Sequence, residues 1–121
     1  VAKPLTPDER RASELLDAAG LPRPPARCLV LLARGGWWLA ADLAEAASLT
    51  PQEVSEGVRL LETRGALRKE PVAKAGPGRP PLRYHLAGEA KDVLGRIEAD
   101  ARGALVRDLA LLDELRESLG R

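Results

Sequence analysis

The side chains best suited to chemistry in this chain are hydrogen-bond donors and cations, gathered in two adjacent stretches. The first is Thr50-Pro51-Gln52-Glu53-Val54-Ser55-Glu56-Gly57-Val58-Arg59-Leu60-Leu61. Wound as a helix, it sets Val54, Val58 and Leu61 on one face at i, i+4 and i+7. Thr50, Gln52, Ser55 and Arg59 are then left for a partner. A guanidinium can donate two parallel bonds to guanine, and a carboxamide can pair in the same way with adenine. The second stretch carries Arg68, Lys69, Lys74, Arg79 and Arg83, the cations expected to follow a phosphate backbone or enter a minor groove. Plainer readings stand beside these. Arg59 can pair with Glu56 or Glu62 on its own helix, Gln52 can be a solvated first-turn residue, and the later cations can decorate a solvated hairpin.

Charge distribution favours a polyanionic partner. The net charge of the whole chain is only +1. Between Arg59 and His85, however, seven basic residues face two acidic ones, while each flanking segment carries a small acidic excess. The positive excess is therefore confined to one short region.

Other chemistries find little support. No nucleophile stands beside a base, no carboxylates form a dyad, and no ligand cluster suits a metal, so an enzyme is not expected and no cofactor or metal is implied. Gly76-Pro77-Gly78 lacks the Lys-Ser/Thr ending and the following helix of a phosphate loop. The single Cys28 lies in the apolar run Ala26–Ala33 and is expected to be a core residue rather than a redox sensor. His85 is alone on a candidate strand and has a structural role; of Trp37 and Trp38, at least one should pack in the core. No apolar run is long enough to span a bilayer, and the first residues lack a secretory apolar segment, so a soluble cytoplasmic protein is expected.

The elements that must position these residues are marked by their punctuation. Thr6-Pro7-Asp8-Glu9 is a capping box opening a helix that runs to about Ala19 before Gly20. After Leu21-Pro22-Arg23-Pro24-Pro25, the Ala26–Ala33 run reads as a buried helix ending at Gly35-Gly36. Trp37-Trp38-Leu39 suits a short strand, and a third helix covers Ala40–Ala47, with Leu39, Leu43, Ala44 and Ala47 on one face. Ser48-Leu49 is a tight turn into the Thr50-capped helix, about residues 51–64, which Gly65 stops. This is the helix-turn-helix pattern. A strand over Ala66–Ala73, a Gly/Pro-rich loop and the alternating strand Leu82–Leu86 make a basic hairpin.

From about Gly88 to Leu119 a long helix carries Leu94, Ile97, Ala101, Leu105, Leu109, Leu112 and Leu115 at intervals near 3.6. At about 1.5 Å per residue it would be on the order of 45 Å long, more than a small domain can cover. Those seven residues are the candidate dimerisation stripe, pairing with a second copy as a coiled coil or short bundle. The fold class expected is mainly α with a small β-hairpin (α+β).

This order of elements resembles the winged-helix regulators of the MarR, ArsR and TrmB type. It is most similar to small archaeal transcriptional regulators in Gly20-Leu21-Pro22-Arg23, Gln52-Glu53-Val54-Ser55, Glu62-Thr63-Arg64-Gly65-Ala66-Leu67 and Gly76-Pro77-Gly78-Arg79-Pro80. The likeness covers roughly residues 20–87. It implies an N-terminal helix over residues 1–20, a winged helix-turn-helix over 21–87 and a dimerisation helix over 88–121. It further implies a homodimer on double-stranded DNA, with the helix of residues 51–64 in the major groove and the wing of residues 68–83 on the backbone. Glu53 and Glu56 depart from what a polyanion favours. They keep two alternatives open: a sequence-tolerant architectural DNA binder, and a winged helix used for protein–protein contact. No small-molecule effector is indicated by the residues.

Overall fold

The computed structural model describes residues 2–73 and 76–120. Helix α1 (Pro7–Ala18) opens on the expected capping box: Thr6 Oγ1 accepts from the Glu9 amide at 3.1 Å, and Glu9 returns the bond to the Thr6 amide at 2.9 Å. Helix α2 spans Arg23–Leu32, three residues earlier than the apolar run suggested. Pro24 and Pro25 lie in its first turn, where a missing N–H costs no helical bond. Strand β1 (Trp38–Leu39) leads into α3 (Ala40–Ala47), and α4 (Pro51–Thr63) follows. Strands β2 (Leu67–Pro71) and β3 (Leu82–Leu86) precede the 30-residue α5 (Ala90–Leu119).

The hairpin is part of a three-stranded antiparallel sheet in the order β1-β3-β2. Trp38 lies opposite Tyr84 on β1 and β3, and Lys69 opposite Tyr84 on β2 and β3. Strand β2 is shorter than the Ala66–Ala73 expectation because its first residue is claimed by the preceding helix end: the Ala66 amide donates to Leu61 O at 2.8 Å.

With neither Phe nor Met available, the core is built from aliphatic side chains on α2. Leu29, Leu31, Leu32 and Cys28 are fully buried there, and Leu43, Val54, Leu61 and Val93 close over them from α3, α4 and α5. On α3 the buried face is Leu43, Ala46 and Ala47; Leu39 is largely exposed, so the face is rotated from the expected Leu39–Leu43–Ala44–Ala47 set. Trp38 is buried and donates its indole N–H to Gly35 O at 3.0 Å, whereas Trp37 stays outside. Burial pushes the Cys28 thiol up to about 12, which leaves it neutral and unreactive.

The N-terminal arm is stitched down by Arg34. Its guanidinium pairs with Glu9 at 2.7 Å and donates to the carbonyls of Lys3 and Pro4, each at 2.8 Å. That pairing holds the Glu9 carboxyl down at about 2. Among the described residues, no helix is long and apolar enough to cross a membrane.

Candidate nucleic-acid interface

Helices α3 and α4 meet through Ser48-Leu49. Ser48 takes the left-handed conformation, with φ of 54°, and the Leu49 amide donates back to Ala44 O at 3.0 Å. Leu49 is buried, so the turn is anchored as well as tight. A residue from α2 completes it: Arg27 Nη1 donates to Ala47 O at 2.8 Å, satisfying a carbonyl that the end of α3 leaves open.

Helix α4 begins with a second capping box, in which Thr50 Oγ1 accepts from the Glu53 amide at 3.1 Å and Glu53 accepts from the Thr50 amide at 2.9 Å. The hydroxyl of Thr50 is therefore engaged at the helix start. Val54, Gly57, Val58 and Leu61 face the core. Gln52, Ser55, Glu56 and Arg59 are exposed on the other side. Of the two pairings open to Arg59, neither forms among the described residues, because Glu62 instead accepts Lys69 from β2 at 2.9 Å.

The acidic residues that looked out of place on this helix have different fates. Glu53 lies on the flank nearest α2, where Arg23 reaches it at 2.6 Å. The Thr50 backbone bond, followed by the Arg23 guanidinium, holds its carboxyl below the ordinary value. Gly57 makes this approach possible. A Cβ there would stand 3.1 Å from the backbone of Pro24 and Pro25, so the start of α2 rests directly on α4. Glu56 accepts from Gln52, whose Nε2 donates to it at 3.4 Å, and forms no ion pair among the described residues.

The wing divides its cations into bound and free. Arg83 is held between Glu70, with Nε donating at 2.7 Å, and the face of Trp37, 4.0 Å from the ring centroid. His85 meets the same indole edge-on at 4.1 Å. These four side chains share the outer face of the sheet because Arg83 and His85 alternate with the buried Tyr84 and Leu86. Arg68 and Arg79 are exposed, and Arg79 stands in the Gly76–Pro81 tip; Lys74 lies outside the described residues. Spacing within the sequence gave no sign of Arg23, Arg27 or the Trp37 stack, although the prolines opening α2 and the glycine at position 57 were visible hints of a close crossing.

The seven residues of the α5 stripe separate into two groups. Ile97 is buried in the core of this same chain and Leu94 packs partly against it, together with Val93. Ala101 is half-buried, whereas Leu105, Leu109, Leu112 and Leu115 are exposed. Beneath the first half of α5, an open groove of about 1300 Å³ runs between α1, α2 and α5. It is lined by apolar groups including Leu15, Leu16, Val30 and Leu94, and at its rim by both signs of charge: Asp8, Glu9, Glu98 and Asp100 with Arg34, Arg64, Arg102 and Arg107.

Comparison with known proteins agrees with this geometry. Over 100 residues the chain is 33% identical to the HTH-type transcriptional repressor Rv2887 of Mycobacterium tuberculosis, covering 83% of this chain and 70% of that one. The Mycobacterium bovis repressor Mb2911 matches to the same extent. Among solved structures, the M. tuberculosis MarR family protein Rv2887 in complex with p-aminosalicylic acid is 28% identical. It superposes with a TM-score of 0.51 over 93% of this chain and 89% of that one. The archaeal chromatin protein TrmBL2 shares the fold with a TM-score of 0.65 at 23% identity; the match covers 92% of this chain but only 40% of that protein. No protein-family model matches the sequence.

Proposed function

Since this chain belongs to the MarR family of winged helix-turn-helix transcriptional regulators, we propose that it acts as a homodimeric repressor bound to double-stranded DNA. The observation that carries this reading is the face of α4: Gln52, Ser55 and Arg59 are turned to solvent by a capped, well-packed helix standing beside a basic wing. In this reading α4 enters the major groove, with Thr50 fixing its first turn. Arg68, Lys74 and Arg79 engage phosphates or the minor groove. Lys69 and Arg83 contribute less, because Glu62 and Glu70 already pair with them and cancel much of their charge. The exposed leucines of α5 pair with those of a second copy, and residues 1–20, 21–87 and 88–121 serve as N-terminal helix, DNA-binding unit and dimer helix.

The test is a fluorescence-anisotropy titration against genomic fragments, including the region upstream of the gene, at low and moderate salt. Tight binding of a few fragments that survives moderate salt supports a regulator. Uniform, salt-sensitive binding would identify an architectural protein, and absence of binding would redirect the search to protein partners.

The groove under α5 favours a second element, an aromatic carboxylate effector. Its largely apolar lining suits a flat ring, Arg64 and Arg107 pair with no carboxylate among the described residues, and a relative forms a complex with p-aminosalicylic acid. Salicylate should release the DNA at millimolar or lower concentration. A DNA affinity unchanged by saturating salicylate would remove the effector from the model.

A further inference from the structure

Helix α4 carries three carboxylates near its outer surface besides Arg59, and the fold pairs two of them with cations. Arg23 crosses from α2 to neutralise Glu53 on one flank, and Lys69 crosses from β2 to neutralise Glu62 on the other. Arg64 lies at the C-terminal cap, past the last turn, and lines the groove under α5. Glu56 sits between the flanks, exposed, on the same face as Gln52 and Arg59. No cation pairs with it among the described residues, and its contact is the Gln52 amide at 3.4 Å, which donates to Oε1 and leaves Oε2 open.

A free carboxylate at the centre of a face turned to phosphates lowers affinity for every DNA sequence alike. It can be offset only where a donor is presented to it. In the major groove the donors are cytosine N4 and adenine N6. Adenine also presents an N7 acceptor beside its donor, and a carboxylate is repelled by that acceptor. Cytosine presents N4–H₂ without a flanking acceptor of its own. From this geometry we infer that Glu56 is a specificity-determining residue, one that makes the protein require a cytosine at one position of each half-site. Gln52 is its positioning residue, fixing the carboxylate rotamer through Oε1. The inference rests on the DNA-binding reading given above and adds which base pair the helix selects.

Selection from a randomised duplex library, sequenced for the wild type, Glu56→Gln and Glu56→Ala, tests it. Affinity for one fixed non-cognate duplex is measured alongside across salt. The wild type should enrich cytosine at one position, by roughly tenfold over the other bases. Glu56→Gln should shift that position towards adenine, Glu56→Ala should leave it unselective, and both should bind the non-cognate duplex more tightly. Gln52→Ala should weaken the cytosine preference about threefold without moving it. Unchanged base frequencies in both Glu56 variants, with affinity merely raised, would show a solvated charge and overturn the assignment. A wild type that binds DNA but has no position requiring cytosine overturns it too. Failure of the wild type to bind any duplex instead removes the DNA-binding reading itself. Glu56 is exposed and lies outside the hydrophobic core, so all variants should fold, with circular dichroism as the check.

Discussion

Val93 and Ile97, near the start of α5, are buried to 1% and 4% exposure, whereas Leu109, Leu112 and Leu115 further along stay 62%, 58% and 53% exposed. Both groups belong to one helix with one apolar periodicity. The first group is buried in the core cluster of this chain; the second has nothing packed over it among the described residues. Exposed leucines in this number are unfavourable by roughly 1.5 kcal/mol or more each relative to burial, which makes a second copy the natural cover. The contrast separates the stability of the domain from that of the assembly, and it predicts that mutations in the two halves of one helix have different readouts.

The largest expected effect is on assembly. Leu109→Asp combined with Leu112→Asp should convert the proposed dimer to monomer, since a micromolar dimer is held by about 8 kcal/mol and two unpaired buried carboxylates on each side oppose that strongly. Analytical ultracentrifugation should give half the wild-type mass, with the domain still folded; an unchanged mass would place the interface elsewhere. Next is Ile97→Ala, which should destabilise the domain by about 3 kcal/mol through the cavity it leaves. Denaturant unfolding would report it, and a loss below 1 kcal/mol would mean the start of α5 is not part of the core. A third comparison concerns the helix crossing that brings Arg23 to Glu53. Gly57→Ala should cost about 1–3 kcal/mol, because its Cβ would press on the Pro24 and Pro25 backbone at 3.1 Å. A stable variant with unaltered DNA affinity would show that the crossing has slack.

The smallest effect is one of pH, in the N-terminal arm that contacts the body rather than the free half of α5. The Glu9 carboxyl is depressed from 4.5 to about 2, chiefly by its hydrogen bonds from Arg34. A depressed folded-state value means that the pairing stabilises fully above the unfolded value and is lost as pH falls from about 5 towards 2. Wild type should therefore lose more stability over that window than Glu9→Gln, by roughly 1 kcal/mol, the scale of a solvent-screened pair. Thermal unfolding at several pH values checks this, and parallel profiles for the two proteins would exclude the pair as a contributor.

The sequence by itself determined the features whose causes lie within a few residues. Thr6-Glu9 and Thr50-Glu53 are three residues apart, so each capping box was legible from spacing alone, as were the hairpin and the outward set Gln52, Ser55 and Arg59. Tertiary structure decided what those residues meet. Arg23 and Glu53 are 30 residues apart, and Arg27 and Ala47 are 20, with no periodicity linking them. Arg83 and Lys69 read as free cations until the sheet register and the end of α4 brought Glu70, Trp37 and Glu62 to them. The leucine stripe shows the limit in its plainest form. Burial rewards an apolar side chain for leaving water whatever covers it, so periodicity marks which face must be covered but not by what. Only the tertiary structure shows that Ile97 is covered by its own chain and that Leu112 is left exposed among the described residues.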